Sequence, residues 1–342
     1  MHFHMFHLTP LSGSGIAPFL PHTTPTSTIA LPWHLFLFVF KLPFFAVLTV
    51  SYFLLLQFLP LGILFRKAIL WAILGLPGIW WIDLQVDGVK RGALGSERGK
   101  ERLPRGGDII ASSFTSPIDA LYLAAIFDPI FTVSYPHTRQ VRQISLVKAM
   151  LRALSAPETQ PPAGAKLVSI QTLLKRNPKR IVVVFPECST TNGRGILPLS
   201  PALLSVTPST KIFPLNMRYT PADITTPIPG QYFGFIWNLL SQQTHCIRVR
   251  IAEATYNDAK RTEKVVEQKD RYLENLMETL NEKEGLTNGV EDEEELNDGE
   301  VNAAEQAVLD RVGEALARLG RVKRVGLTVE DKAKFVKAWT KK

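Results

Sequence analysis

Hydrophobic residues are concentrated near the N-terminus, where two long stretches carry no charge. Residues 42–64 form an uncharged run of 23 residues, which Lys41 precedes and Arg66 and Lys67 follow. A helix rises about 1.5 Å per residue, so a helix of this length spans a hydrocarbon core of about 30 Å. The pattern therefore predicts a membrane segment at residues 42–64.

The second uncharged stretch, residues 68–82, is shorter and is interrupted by Gly75, Pro77 and Gly78. Its tryptophans favour the headgroup region of a bilayer. We expect an interfacial or re-entrant helix that forms a hairpin with the first segment, and the flanking basic residues predict that both ends of the hairpin face the cytosol. The alternative is one spanning helix followed by a helix buried in a domain core.

Beyond residue 83, short apolar runs alternate with helical patterns and with turns that contain glycine and proline. Helices are predicted at residues 120–126 and 144–154. Strands are predicted at residues 84–86, 108–112, 131–134, 167–169, 181–184, 212–217 and 247–251. Alternation of this kind is typical of an α/β fold.

The C-terminal extension, residues 259–342, is charged and helical in pattern. Its acidic run within residues 291–300 predicts a solvated or disordered loop. Four aliphatic residues then recur at helical spacing: Val308, Val312, Leu316 and Leu319. They predict an amphipathic helix that docks on the domain, with contact to a membrane surface as the alternative. A last helix is predicted to begin near Thr328, which has capping-box spacing with Asp331.

Charge and cysteine content narrow the function classes. Residues 1–40 contain no Lys, Arg, Asp or Glu, whereas the whole chain has a formal net charge of +8. The hydrophobic anchor favours anionic lipid or a phosphorylated substrate as the partner of this charge, and scattered basic residues without interleaved aromatics argue against nucleic acid. Two cysteines form no disulfide framework, and no Cys or His spacing resembles a metal site. The predicted organisation is an uncharged tail (1–40), an anchor (41–85), an α/β domain (86–258) and the extension.

The most informative polar motif, residues 185–197, follows the apolar strand predicted at residues 181–184. Its order is Phe-Pro-Glu-Cys-Ser-Thr-Thr-Asn-Gly-Arg-Gly-Ile-Leu. Ligands of open α/β folds bind in the crevice outside the carboxyl ends of the strands. The motif therefore predicts a site at this crevice, with the carboxylate of Glu187 and the guanidinium of Arg194 at its mouth.

A second strand-to-helix turn occupies residues 112–119. Ser116 fits the N-cap of a helix, Pro117 its first position and Asp119 its third, so the segment is a good helix start on structural grounds alone. The capping role is the simpler interpretation of Asp119. Pairing with the 185–197 turn behind a membrane anchor favours a functional role as well.

Together these residues resemble the glycerophospholipid acyltransferase family. The first motif of that family is Asn-His, four further residues and Asp, and its third is Phe-Pro-Glu-Gly-Thr with Asn-Gly downstream. Residues 212–219 are similar to its fourth, apolar-proline motif. Over residues 86–254 the resemblance implies a mixed sheet flanked by helices. Residues 13–21 and 334–339 resemble a narrower fungal group, the lysophosphatidic acid:oleoyl-CoA acyltransferases of endoplasmic reticulum and lipid droplets, also connected with vacuolar protein sorting.

The resemblance implies acyl-CoA and lysophosphatidic acid as substrates, phosphatidic acid as product, membrane lipid as partner and no cofactor or metal. Asp119 becomes the candidate base or its electrostatic substitute, and Glu187 binds or orients the glycerol end. Arg194 pairs with the phosphate. The full set of candidate substrate-binding residues is Ser116, Lys148, Ser189, Thr190, Asn192, Gly193, Arg194 and Pro214.

The chain departs from the family at two points. Phe114 stands where the family has its histidine, and phenylalanine neither accepts nor delivers a proton. Residues 188–190 are Cys-Ser-Thr where many members have Gly-Thr-Arg. His137 and His245 remain as replacement bases, and Cys188 is better explained as a small residue in a tight turn than as a nucleophile. The alternative function is therefore a catalytically impaired member that binds lipid or sorting partners.

Overall fold

The computed structural model describes residues 16–340, apart from residues 23, 25–27, 57–58, 60–61, 91 and 260–300. Its helices are α1 (Leu31–Ser51), α2 (Ile63–Gly75), α3 (Glu97–Glu101), α4 (Pro117–Phe127), α5 (Leu146–Leu154), α6 (Ile170–Arg176), α7 (Tyr232–Ser241), α8 (Ala303–Gly320) and α9 (Val329–Thr340). The strands are β1 (Ile79–Val86), β2 (Ile109–Ser112), β3 (Ile130–Val133), β4 (Val141–Ile144), β5 (Leu167–Val168), β6 (Val182–Val184), β7 (Gly195–Ile196), β8 (Lys211–Thr220), β9 (His245–Ile251), β10 (Thr255–Tyr256) and β11 (Lys323–Arg324).

The central sheet is mixed, which confirms the predicted fold class. Its strand order is β1-β9-β8-β2-β6-β3-β4-β5, and β10 pairs with β8. Strand β2 runs parallel to both β6 and β8, whereas β9 is antiparallel to β8 and β4 is antiparallel to β3. The carboxyl ends of β2 and β6 therefore meet at one edge of the sheet, and the turns at residues 113–119 and 185–197 begin there.

Helices cover both faces of the sheet. One core contains the buried residues of α2, α4 and α7, and the other contains those of α6 and α8. Val308, Val312, Leu316 and Leu319 of α8 are all buried. The amphipathic pattern therefore marks a helix docked on the domain, as expected, and its apolar stripe is not left for a membrane surface.

The first apolar segment begins earlier than predicted. Among the described residues, one helix is long and apolar enough to cross a membrane by length and composition, and it covers Leu31–Leu55. The predicted run 42–64 starts too late because Lys41 lies inside the helix and does not bound it. Within the helix, the Lys41 Nζ donates to the Pro77 carbonyl at 3.0 Å and to the Gln242 carbonyl at 2.7 Å. A lysine bound by carbonyl oxygens does not end the helix.

The second apolar stretch, predicted as an interfacial helix over residues 68–82, is wrong in its last part. Helix α2 ends at Gly75, and residues 79–82 belong to β1, which pairs in parallel with β9. Tryptophan and isoleucine suit a pleated, half-buried surface, which explains the strand. Ile73 and Leu74 of α2 are buried against the domain. The opposite face of α2 exposes apolar side chains such as those of Leu64 and Phe65, so α2 is only partly the buried helix of the alternative, and the hairpin stays a prediction.

The last helix starts after Thr328, whose amide and hydroxyl both donate to an Asp331 carboxylate oxygen at 2.9 Å, so the predicted cap is confirmed. The patterns missed α3, α6 and α7 and the short strands β4, β7, β10 and β11. The acidic loop at 291–300 lies outside the described residues.

Candidate functional site

The turn before α4 is closed by its own residues. Oδ2 of Asp119 accepts from the backbone amides of Thr115 at 2.6 Å and Ser116 at 2.9 Å, and the Thr115 hydroxyl donates to it at 3.2 Å. The Tyr219 hydroxyl of β8 donates to Oδ1. Ser116 caps the helix, and its own hydroxyl donates to the Ile224 carbonyl at 2.8 Å. The sequence-predicted cap is therefore present.

Asp119 is fully buried, and burial raises the pKa of its carboxyl to about 6 although its hydrogen bonds lower it. Both carboxylate oxygens already accept hydrogen bonds from the protein. The geometry favours Asp119 as a positioning group that fixes the turn, since little acceptor capacity remains for a substrate hydroxyl.

Glu187 occupies the neighbouring turn, and only one of its two carboxyl oxygens has a hydrogen-bond partner in the described structure. Its side chain is fully buried, and its Oε2 accepts from the Leu197 amide at 3.1 Å. Oε1 has no hydrogen-bond partner among the described residues. Burial raises the pKa of this carboxyl to about 8. The backbone amides of Leu197 and Phe114 have the opposite effect and lower it. A buried carboxyl oxygen without a partner is costly, so a ligand hydroxyl or a bound water that donates to it would stabilise this arrangement.

Lys332 of α9 is a site residue that the sequence patterns missed. It is fully buried, and its Nζ donates to the carbonyl of Thr190 and, at 2.9 Å, to the Thr190 hydroxyl. Burial, together with the charge of Arg152, lowers the pKa of its amine to about 7, and the Glu187 carboxylate opposes this shift. The C-terminal extension therefore brings a buried amine to the Glu187 turn. No local signal distinguishes Lys332 from the lysines beside it, because only the fold buries it.

Cys188 follows Glu187 in a left-handed backbone conformation with φ of 58°. Glycine adopts this conformation without steric cost, which explains why the family motif has glycine there. Burial raises the pKa of the Cys188 thiol to about 11. A thiol held protonated is a poor nucleophile, so the interpretation as a small turn residue agrees with the structure.

The far end of the 185–197 turn is bound by the N-terminal segment, residues 16–22. The Asn192 side-chain amide donates to the carbonyls of Ala17 and Leu20, each at 2.7 Å, and its backbone amide donates to the Pro18 carbonyl at 2.9 Å. The Phe19 ring lies 5.9 Å from that of Phe335 on α9. Residues 16–22 and α9, here called the covering segments, therefore meet over the Glu187 turn.

Arg194 stands at the open side of this turn. Its side chain is exposed, and its guanidinium Nη2 lies 3.2 Å from Nδ1 of His22. Burial, and then the charge of Arg194, lowers the pKa of the His22 imidazole, which favours its neutral form. The guanidinium therefore remains available to an anion that approaches from solvent.

The structure brings most, but not all, of the predicted residues together. Thr190, Ser189, Asn192 and Gly193 lie on the Glu187 turn, and Gly193 adopts a φ of 75° beside the Thr115 methyl group. Pro214 lies within β8, opposite Ala111 of β2. Lys148 is exposed on α5, and its side chain has no hydrogen bond or ion pair to any residue that the structure describes.

Phe114 fills the position of the family histidine with an aromatic contact. Its ring stacks on that of Phe185 with centroids 4.3 Å apart, and only 2% of its surface is exposed. His245, one of the two replacement candidates, is buried at the start of β9, where its Nε2 contacts the Leu239 carbonyl at 2.9 Å. In the described part of the chain, no three metal-binding side chains cluster closely enough to hold an ion.

Comparison with known proteins supports the resemblance read from the motifs. The chain is similar to a protein of Schizosaccharomyces pombe named "Putative lysophosphatidic acid:oleoyl-CoA acyltransferase", with 29% identity over 146 residues. The chain resembles an acyltransferase. The match covers 43% of this chain and 48% of that protein, so the chain spans about half the length of the relative. No protein-family model and no solved structure matches the chain. An acyltransferase role is therefore supported.

Proposed function

We propose that this chain is a membrane-anchored enzyme that transfers the acyl group of an acyl-CoA to lysophosphatidic acid and so makes phosphatidic acid. The relative's name supports the acyltransferase role, and the donor and acceptor proposed here extend that name to this chain. Helix α1 suits an enzyme whose acceptor and product are membrane lipids, since it is apolar over a length comparable to the thickness of a bilayer. Residues 16–22 before it and Lys41 within it both contact the domain, which favours an anchor that enters and leaves the membrane on the domain's side.

The observation that carries the proposal is the distribution of polar groups on the Glu187 turn. Glu187 has a carboxyl oxygen without a partner in the described structure, and Arg194, on the same turn, has an exposed guanidinium. Lysophosphatidic acid carries a hydroxyl and a phosphate at the same end. The carboxyl oxygen is suited to the hydroxyl, and a guanidinium binds phosphate with two parallel hydrogen bonds.

The chemistry follows from these groups. The acceptor hydroxyl oxygen attacks the thioester carbonyl carbon, a tetrahedral intermediate forms, the carbon–sulfur bond breaks, and the hydroxyl proton ends on the CoA sulfur. A group near the hydroxyl must accept its proton during this attack. Phe114 offers no proton acceptor, and the oxygens of Asp119 are occupied, so ionised Glu187 takes this task in our proposal. Lys332 favours the ionised form of Glu187, because its charge lowers the pKa of the carboxyl.

Substrate entry requires a change in the covering segments. Glu187 is fully buried beneath the turn that residues 16–22 and α9 hold through Asn192 and Lys332. A lipid acceptor therefore reaches the free carboxyl oxygen only when at least one of these segments moves. Movements of covering segments are a common step in enzyme turnover.

The alternative function, a catalytically impaired lipid-binding protein, has one observation in its favour. Phe114 packs on Phe185 in the place of the family's base, and the pair fills the space with apolar rings. The retained carboxyl of Glu187 and the exposed Arg194 favour the enzyme.

A single assay separates the two functions. Purified full-length protein in detergent is supplied with labelled oleoyl-CoA and a panel of lysophospholipids. We expect labelled phosphatidic acid from lysophosphatidic acid and a tenfold or larger loss of rate in Arg194→Ala, since removing one charged hydrogen bond costs at least about 1.4 kcal/mol. Arg176→Ala, which removes an exposed arginine of α6, is the matched control. If the wild-type protein transfers the acyl group to none of the lysophospholipids, the enzymatic function is contradicted and the lipid-binding function is favoured.

We also propose, on the resemblance alone, that the protein lies in endoplasmic reticulum membranes and lipid droplets with its α/β domain in the cytosol. The basic residues after the apolar run favour that orientation by the positive-inside rule. A glycosylation acceptor introduced into residues 1–30 reports on the tail. We expect no glycan if the hairpin topology holds; a glycan on the acceptor would place the tail in the lumen and contradict it.

A further inference from the structure

A groove on the α8 side of the sheet edge carries an excess of positive charge. It has a volume of about 990 Å³ and is lined by β1, β9, the loop after β1 and the end of α8. Among its described lining residues the cations are Lys90, Arg248, Arg250, Arg318 and Arg321, and the carboxylates are Asp83 and Asp87. This set is here called the arginine groove. It lies outside the Glu187 turn and shares no lining residue with it.

The sheet register itself crowds like charges at this groove. Arg248 of β9 stands directly opposite Arg218 of β8, and Arg250 follows two residues later on the same face. Like charges directly opposite on paired strands destabilise a sheet. Burial, and then the charges of Arg321, Arg248 and Arg218, lowers the pKa of the Arg250 guanidinium. The repulsion among these arginines must be offset, either by carboxylates of the protein or by a bound anion.

Internal partners compensate only part of the cluster. The last carbonyls of α8 accept from two arginines, Leu319 from Arg250 at 2.7 Å and Gly320 from Arg218 at 3.0 Å. Arg248 contacts Asp83 at 3.1 Å, and Arg318 contacts Asp87 at 2.5 Å. These bonds alone would make the cluster a structural cap of α8. The side chains of Arg321 and Lys90 are exposed and have no hydrogen bond or ion pair to a residue that the structure describes.

The groove adjoins the part of the molecule that faces a membrane in our proposal. Asp83 and Gln85 of β1 point toward Arg248 and Arg250, and Trp81 lies on the same face by the two-residue period of a strand. Trp81 is 71% exposed. The start of β1 is tied to α1, because Lys41 bonds the Pro77 carbonyl. An exposed tryptophan on the same face of the sheet as basic side chains is typical of the headgroup region, where anionic lipids attract basic side chains.

We propose that the arginine groove binds the phosphate group of an anionic phospholipid headgroup at the membrane surface, at a site separate from the Glu187 turn. Arg321 and Arg248 hold the phosphate through charge-assisted hydrogen bonds, and Trp81 lies at the level of the headgroups. The site fixes how the domain meets the bilayer and does not depend on the proposed reaction.

The test uses full-length protein in detergent and short-chain phosphatidylglycerol below its micelle concentration, which is neither substrate nor product of the proposed reaction. Binding is measured by calorimetry, with short-chain phosphatidylcholine as the zwitterionic control. We expect tighter binding of phosphatidylglycerol and a tenfold or larger loss of that affinity in Arg248→Gln/Arg321→Gln, since two charged hydrogen bonds are removed. Lys175→Gln/Arg176→Gln removes the same charge from the end of α6 and should bind as the wild type does.

The outcomes separate a local site from general charge. Equal losses in the two double variants, or no preference of the wild type for the anionic lipid, would overturn the proposal. Arg321→Gln alone breaks no internal bond in the described structure, so this variant should fold. It should lose affinity for phosphatidylglycerol several-fold, and it tests the proposal even if the double variant unfolds. A third arm uses adenosine 3′,5′-bisphosphate. If it binds through Arg248 and Arg321 while phosphatidylglycerol does not, the groove holds a soluble nucleotide and the headgroup assignment is wrong.

Discussion

The two turns at the carboxyl ends of β2 and β6 are built by different means. The Asp119 turn is closed mainly by its own neighbours, since the amides of Thr115 and Ser116 bond the carboxylate within a few residues, and Tyr219 of β8 adds one donor from a distance. The Glu187 turn is held from a distance, by the N-terminal segment at Asn192 and by Lys332 of α9 at Thr190. Local closure gives a rigid scaffold. Closure by remote segments gives a site that can open while the sheet beneath it stays intact.

The comparison separates the roles of the two carboxyls. Asp119 has both oxygens occupied by protein donors, whereas Glu187 keeps one oxygen without a partner among the described residues. We therefore expect Asp119 to matter chiefly for stability and Glu187 chiefly for the reaction.

Asp119→Asn should have the largest effect on stability. Asparagine keeps the size of the side chain but presents an amide group to donors that need an acceptor, and several charged hydrogen bonds are lost. We expect the free energy of unfolding to fall by about 3 to 5 kcal/mol. Denaturant unfolding in detergent measures the change, and Tyr219→Phe, which removes a single donor, should cost about 1 to 2 kcal/mol. A stability change below that of Tyr219→Phe would contradict the scaffold role.

The pH dependence of stability should report the raised pKa of Glu187. The folded protein holds a proton at this carboxyl up to pH about 8, whereas the unfolded chain releases it near the ordinary value of 4.5. The contribution of Glu187 to the free energy of unfolding is therefore largest below pH 4.5, and it is lost as the pH rises toward 8. Between pH 5 and 7.5 the loss is at most about 3 kcal/mol.

Glu187→Gln should lack this slope. The comparison of the two proteins at each pH removes the effects of Asp119 and Lys332, which titrate in both. Unfolding curves that fall in parallel with pH would show that Glu187 keeps an ordinary pKa.

Lys332→Met should separate activity from stability. Methionine fills a similar volume and removes the cost of a buried amine, so we expect unfolding to change by no more than about 1 kcal/mol. The acid limb of the pH–rate profile should move to higher pH, because Lys332 lowers the pKa of Glu187, and the rate at neutral pH should fall with the ionised fraction of that carboxyl. Lys334→Met, at an exposed position of α9, is the matched control and should leave the profile in place. A lower rate with an unmoved profile would reduce Lys332 to a structural residue.

Cys188→Gly should have the smallest effect. Glycine relieves the left-handed backbone at φ 58° but loses the packing of a buried thiol. The relief of the backbone and the loss of packing each change the free energy of unfolding by about 1 kcal/mol and oppose one another. Stability should therefore stay within about 1 kcal/mol of the wild type. Activity should persist. Loss of all activity in this variant would revive Cys188 as a nucleophile.

The sequence predicts the locally closed turn better than the remotely closed one. The spacing of Ser116, Pro117 and Asp119 specifies a capping box without reference to the rest of the chain, and the same holds for Thr328 and Asp331. Alternating elements predict the α/β sheet. The bond between Lys332 and Thr190 joins residues that are 142 positions apart, and no periodicity reports it.

The predicted ends of the two apolar segments were wrong for a related reason, because contacts between distant parts of the chain decide them. Lys41 looks like the end of an apolar run until the carbonyls of Pro77 and Gln242 are placed around its ammonium group. Residues 79–82 fit a helix or a strand equally by hydrophobicity, and pairing with β9 decides between them.

If acyl transfer takes place at the Glu187 turn, as we propose, Glu187→Gln should lower its rate. The variant keeps the shape of the side chain and removes its charge and basicity. Rates of transfer from labelled oleoyl-CoA to lysophosphatidic acid are compared with the wild type at equal folded fraction, as measured by unfolding at the same pH. We expect at least a tenfold loss of rate, equivalent to about 1.4 kcal/mol at the transition state, with the protein still folded. A folded Glu187→Gln protein that transfers the acyl group at the wild-type rate would contradict the claim.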